Sequence, residues 1–235
     1  MRSLQLLVAF LLLFAGHTAA AQEIRYSWID MSFMGQDVSR AGSLPSPGVP
    51  GQIVDIAVSD GSGVRFRGSL GTWRNLYLMI DYGSTDIDLA GSVTSPALPE
   101  PERFEDEFDY TIIRGGIGLK FSILEATDIY GELTYDSLDF DFGSFAQEDF
   151  DMNRQEPGGT IGVRTIFGKT LEARVHVRYS ALGDADLTTG LFDTDVLYGA
   201  GIAWEVIRGL SVVADYEAGE FSSWSVGFRL DLDED

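Results

Sequence analysis

Cysteine is absent from the 235-residue chain, which excludes a disulfide scaffold, a thiolate metal site and a cysteine nucleophile. Positive charge is scarce: 16 lysines and arginines face 37 aspartates and glutamates, a formal charge of −21. Such an acidic chain repels phosphate backbones, which argues against nucleic-acid binding through a broad basic surface. Histidine occurs only as His17 and His176. Beyond residue 21 no apolar run approaches the roughly 20 residues of a spanning helix, and apolar stripes at helical spacing are missing as well.

What is present begins with an address. Met1-Arg2 is a short basic start, Leu4 to Ala15 is almost unbroken apolar, and Thr18-Ala19-Ala20-Ala21 precedes Gln22. This predicts a secretory signal peptide over 1–21 with cleavage after Ala21, leaving 22–235 as one mature domain. An exported chain without spanning helices is either soluble or a membrane β-barrel.

Period-2 alternation dominates from Ile24 to Leu232 and predicts ten strands, at 24–35, 61–71, 74–90, 107–121, 126–142, 158–167, 169–182, 194–206, 208–217 and 221–232. Their connections alternate in length. Short ones fall at Gly71–Asn75, Leu124–Thr127, Phe167–Thr170 and Ile207–Gly209, and longer polar ones at Gly35–Gly61, Gly91–Asp106, Gly143–Gly159 and Gly183–Asp193, with a final short link near Ala218–Glu220. Short turns at one end and longer loops at the other are the pattern of an antiparallel up-and-down transmembrane β-barrel of eight to ten strands, with ten favoured. The first two long connections, with Pro45, Pro47 and Pro50 and with Pro96, Pro99 and Pro101, are expected to be mobile loops.

The strands have two unlike faces. In the seventh, Leu171, Ala173, Val175, Val177, Tyr179 and Ala181 alternate with Glu172, Arg174, His176, Arg178 and Ser180. In the eighth, Val196, Tyr198, Ala200, Ile202, Trp204 and Val206 alternate with mostly small residues. Each apolar face lasts about as long as a tilted strand needs to cross hydrocarbon, roughly 9–11 residues. Aromatics sort to the strand ends. Trp28, Trp73, Phe121, Phe167, Trp204 and Phe228 are expected at the short-turn rim, and Tyr82, Tyr135, Tyr179, Tyr198, Tyr216 and Trp224 at the other, as two interfacial girdles. The polar face then points into the lumen. Eight bases, Arg65, Arg67, Arg114, Lys120, Arg164, Arg174, Arg178 and Arg229, are expected to face eight acids, Asp81, Glu132, Asp136, Glu172, Glu205, Asp215, Glu217 and Asp231, with His176 among them. Charges there persist only when paired, so the expectation is an ion-pair network filling a narrow bore.

Three segments carry a likeness: Ile24-Arg25-Tyr26-Ser27-Trp28-Ile29 at the start, the glycine-rich Ile113-Arg114-Gly115-Gly116-Ile117-Gly118-Leu119, and Trp224-Ser225-Val226-Gly227-Phe228-Arg229-Leu230 at the close. With the signal peptide, they resemble small OmpA/OmpX-type outer-membrane β-barrel proteins. The resemblance implies assembly by the outer-membrane insertion machinery, which reads an aromatic at the end of the last strand. Here Leu230, Leu232 and Asp233-Glu234-Asp235 follow Phe228, a departure from that pattern.

Chemistry is sparse. His176 sits mid-strand, and Ser180 on the same face is about 13 Å away by strand rise, too far for a nucleophile and base; no catalytic residue, cofactor or resident metal is expected. Glu100 to Glu107, Asp139-Phe140-Asp141 and Glu148-Asp149-Phe150-Asp151 place carboxylates at the outer mouth, where divalent cations and lipopolysaccharide are the expected partners. Ten strands filled with charge leave at most a thin water path. The reading is a non-enzymatic outer-membrane barrel with a charge-filled lumen and acidic outer loops, serving envelope integrity or surface interaction. The alternatives are a narrow ion-conducting pore, a soluble lipocalin-like binder whose Val175, Ile202 and Phe228 line a pocket, and a barrel hydrolase using His176.

Overall fold

The computed structural model describes residues 24–37, 40–45, 51–97, 100–141, 152–181, 196–219 and 222–232. The expected signal peptide, the Gly183–Asp193 loop and the acids at 148–151 lie outside them. Among these residues eleven strands run in chain order: β1 (Trp28–Asp37), β2 (Arg40–Pro45), β3 (Ile53–Trp73), β4 (Leu76–Thr94), β5 (Glu102–Leu124), β6 (Thr127–Asp141), β7 (Met152–Phe167), β8 (Leu171–Ser180), β9 (Val196–Ile207), β10 (Leu210–Ala218) and β11 (Ser222–Asp231). Consecutive neighbours from β3 to β11 pair antiparallel, and β1 pairs with both β11 and β3, so ten strands close a barrel. β2 stands outside the closed wall, paired to Ile53–Val58 of β3. A register shift between Val58 and Gly61 marks where β3 leaves β2 and joins β1, as a bulge re-aims a strand. No helix among the described residues is long and apolar enough to cross a membrane; the crossing elements are strands.

The short connections are hairpin turns. Gly168 and Gly209 take positive φ (66° and 78°), a backbone region open to glycine without steric cost. Where they are described, three expected loops contain strand instead. Gly35–Gly61 contains β2 and the start of β3, Gly91–Asp106 contains the end of β4 and the start of β5, and Gly143–Gly159 contains the start of β7. The acidic segment Glu100–Glu107, expected as a loop, is mostly the beginning of β5. These stretches read as loops because they are polar and proline-bearing, yet period-2 alternation continues through them. β3 to β5 therefore have 21, 19 and 23 residues, against 10, 9 and 10 for β8, β10 and β11, and one side of the wall rises above the other.

Polarity inverts along that taller side. In the shared barrel zone Leu78, Ile80, Ile113, Ile117, Leu133 and Ile161 face outward and exposed while charges are buried inside. Higher up, Met34, Ile87, Leu89, Phe108, Ile112 and Leu138 are buried inside, and Asp86, Asp88, Glu105, Glu107, Asp109 and Asp139 are exposed outside. The lower zone suits lipid and the upper zone suits water, so the switch marks where the wall leaves hydrocarbon.

Candidate functional site

The bore is built by the inward positions of the barrel strands. Among the described residues five carboxylates each join two bases, Asp231 at the short-turn end and four deeper in the bore. Asp81 holds Arg65 at 2.6 Å and Arg114 at 3.2 Å, and Asp215 holds Arg67 and Arg174, both at 2.5 Å. Glu172 holds Arg164 at 2.7 Å and Arg229 at 3.0 Å, while Glu217 holds His176 at 2.8 Å and Arg178 at 3.1 Å. A carboxylate has about four lone-pair sites, which allows such sharing, and removing one member would leave a buried charge uncompensated.

The remaining expected lumen residues have other partners. Glu132 accepts a hydrogen bond from the Tyr77 hydroxyl (2.9 Å). Asp136, fully buried, accepts one from Ser180 (2.8 Å) and lies 3.7 Å from Arg114. Lys120 stands 4.4 Å over the Tyr26 ring. Glu205 accepts from the Gly209 backbone N–H (2.8 Å) and so closes the β9–β10 turn. Asp231 meets Arg229 and Arg25. His176 and Ser180 therefore engage different carboxylates, and nothing pairs them as base and nucleophile. Among the described residues no group of three or more His, Cys, Asp or Glu is arranged to hold a metal ion.

The interior also holds residues the alternation pattern left unassigned. Asp30 binds Arg67 at 2.7 Å and Asp128 is buried; both share the parity of inward neighbours, which was the available signal. Trp28 is a correction. Expected in the short-turn girdle, it is only 8% exposed and points inward, with Arg67 and Arg229 5.9 and 5.8 Å from its ring. Alternation with the exposed Ile29, Met31 and Phe33 overrides the tendency of tryptophan to sit at an interface. The other girdle residues, Trp73, Phe121, Tyr135, Tyr179, Tyr198, Trp204, Tyr216, Trp224 and Phe228, are exposed outside, and Tyr82 packs on Phe66 at 6.3 Å.

A second correction concerns the chain start. Ile24–Ser27 does not extend β1 but lies against the lumen wall. Ile24, Tyr26 and Tyr77 form a buried cluster with Met79 and Ile166 packed on it. The Tyr26 and Tyr77 rings meet at 4.8 Å, tilted by 43°, Ser69 donates to the Tyr26 carbonyl (2.7 Å), and the Leu232 N–H donates to the Ser27 carbonyl (2.8 Å). This segment narrows the short-turn end. Cavities among the described residues include a central one of about 60 Å³ and one of about 30 Å³ near Arg25, Glu172, Glu205 and Arg229.

Inward glycines make room for the large side chains. A Cβ on Gly118 would stand 2.1 Å from the Tyr77 ring, and one on Gly199 would stand 2.1 Å from the His176 ring. Gly118→Val is therefore expected to destabilise the barrel by about 1–3 kcal/mol through overpacking. In a Tyr77→Ala background the same change should cost clearly less, a coupling that a double-mutant cycle in urea unfolding measures. Additive costs would sink this account.

No known protein family and no curated protein matches the chain. Solved structures match it as folds. They include the outer membrane protein OprG from Pseudomonas aeruginosa, 11% identical over 89% of this chain and 98% of that one, with a TM-score of 0.46. The translocator domain of the autotransporter NalP from Neisseria meningitidis is 14% identical over 97% and 94%, TM-score 0.44. The outer membrane protein Omp33 of Acinetobacter baumannii is 13% identical over 90% and 100%, TM-score 0.35.

What decides the architecture is the polarity of the wall itself. A closed barrel, charged inside and apolar outside through its shared zone, is an outer-membrane β-barrel. A lipocalin-like binder needs the reverse orientation. Ile202 and Phe228 are 52% and 61% exposed on the outside, and Val175 shares their face, so the pocket they were to line does not exist.

Proposed function

We propose that this barrel is a non-enzymatic envelope protein acting at its outer surface, in envelope integrity or surface interaction, and that its bore is not a solute channel. The observation that carries this reading is the filling of the lumen: shared ion pairs span the bore, and the Ile24–Ser27 segment packs into its short-turn end. The tall β3–β7 wall with its acidic outer face supports a role outside the membrane. On this reading the outward aliphatic belt contacts lipid and lipopolysaccharide, the insertion machinery assembles the chain, and its kinship is with the small OmpA/OmpX-type barrels.

The test is conductance of the refolded mature chain in planar bilayers. The expected result is a silent bilayer, with folding verified by a heat-dependent shift in gel mobility. Large steady single-channel steps in the folded protein would overturn the proposal. A second reading, a thin ion path, is favoured by the central cavity; it predicts small currents that change when Arg174 or Glu132 is neutralised.

A further inference from the structure

The closing junction of the wall differs from its other junctions. Each other pair of neighbouring wall strands follows along the chain, with β2 intervening once, so a connecting segment keeps its members close. β1 and β11 come from opposite ends of the chain and meet through their ladder, Trp28–Asp37 against Asp231–Ser222. The charges that face each other there lead away from the junction. Asp30 and Arg229 stand directly opposite, yet Asp30 holds Arg67 of β3 and Arg229 holds Glu172 of β8. What Arg229 meets on β1 is the Trp28 ring, 5.8 Å away, a weaker contact than a buried ion pair.

The four residues before β1 span this seam. The Leu232 N–H donates to the Ser27 carbonyl (2.8 Å) and Arg25 meets Asp231 (3.5 Å), which ties the segment to the end of β11. Its other attachments lie on other strands. On β3, Ser69 donates to the Tyr26 carbonyl (2.7 Å) and the Gly71 N–H donates to the Ser27 hydroxyl (3.2 Å). Ile24 and Tyr26 are buried with Tyr77 and Met79 of β4 and Ile166 of β7. Lys120 of β5 and Arg164 of β7 stand 4.4 and 4.8 Å from the Tyr26 ring. We infer that Ile24–Ser27 is a strap that locks the β1–β11 seam, and that this seam is where the wall opens once the strap is released. The strap belongs to no ladder, and the surface that receives it is assembled from β3, β4, β5 and β7, so it seats only after the wall has closed. Contacts made that late slow unfolding and barely change folding. The strap acts on the wall whether or not the bore conducts.

A chain without cysteine allows single junctions to be cross-linked. Met31→Cys with Phe228→Cys joins directly opposite residues of β1 and β11, and Ile80→Cys with Gly115→Cys does the same for β4 and β5; opposite residues of antiparallel strands lie within reach of a disulfide. Tyr26→Ala is expected to speed unfolding of the mature barrel in urea, from lipid vesicles and followed by tryptophan fluorescence, by at least about tenfold. Its folding rate should stay within about twofold. With the seam cross-linked, Tyr26→Ala should no longer speed unfolding; with β4 and β5 cross-linked, it should speed unfolding as before. Ile24→Ala, which keeps the aromatic pair, should repeat the pattern at smaller amplitude and carries the test if Tyr26→Ala does not fold. An effect that survives the seam cross-link, one abolished equally by both cross-links, or a loss that falls on the folding rate would overturn the proposal. So would failure of Ile24→Ala to fold, because a strap needed for closure does not seat after it.

Discussion

Asp81→Asn is expected to destabilise the barrel by about 3–5 kcal/mol in urea unfolding from lipid vesicles. Asp81 is 2% exposed and is shared by Arg65 and Arg114. Asparagine keeps its shape and removes its charge, so two guanidiniums remain in a water-poor bore with one counter-charge fewer. The penalty is mainly that of the stranded bases rather than the net contribution of the pair. Asp81→Asn combined with Arg114→Met should therefore recover part of the loss. Asp86→Asn, five residues along β4 on the exposed outer face, should change stability by no more than about 0.5 kcal/mol. A loss at Asp81 as small as that at Asp86 would mean that water screens the lumen and that the ion pairs do not hold the wall.

Ile117→Arg is expected to cost about 2–4 kcal/mol in the same assay. Ile117 is 49% exposed and lies in one cross-strand row with Leu78 and Leu133. By exposure alone, arginine at such a position on a water-soluble protein would be harmless. In lipid it places a guanidinium near the middle of the hydrocarbon. The comparison variant is Asp109→Arg, further along β5 and beyond the polarity switch, where the charge stays in water and the cost should be small. A harmless Ile117→Arg would overturn the membrane orientation of the whole wall.

These two experiments address opposite faces of one sheet, and the inversion of polarity up the tall strands connects them. Below the switch the wall needs lipid outside and paired charge inside. Above it, the same alternation carries Asp86, Asp88 and Glu107 outside and Ile87, Leu89 and Phe108 inside, as a strand facing water requires. A one-residue slip in register would exchange the two faces in both zones, so the inversion specifies pairing as well as depth.

Much of this was legible in the residues alone. Glu172, Arg174, His176 and Arg178 alternating with Val175, Val177 and Tyr179 determine that one face is polar and the other apolar. The lengths of the connections determine an up-and-down order, because a two-residue turn permits only an antiparallel neighbour. These are local properties, carried by the period of two and by turn chemistry, and they hold whatever the rest of the chain does. Tertiary structure decided what depends on distant neighbours. Asp30 reaches Arg67, and Arg67 reaches Asp215 across 148 residues, so no window along the chain reveals which acid is shared by which bases. Trp28 points inward because β1 must close against both β3 and β11, and Tyr26 enters the lumen because Tyr77 and the Ser69 hydroxyl receive it. Alternation states which residues share a face; only closure of the barrel determines what that face meets.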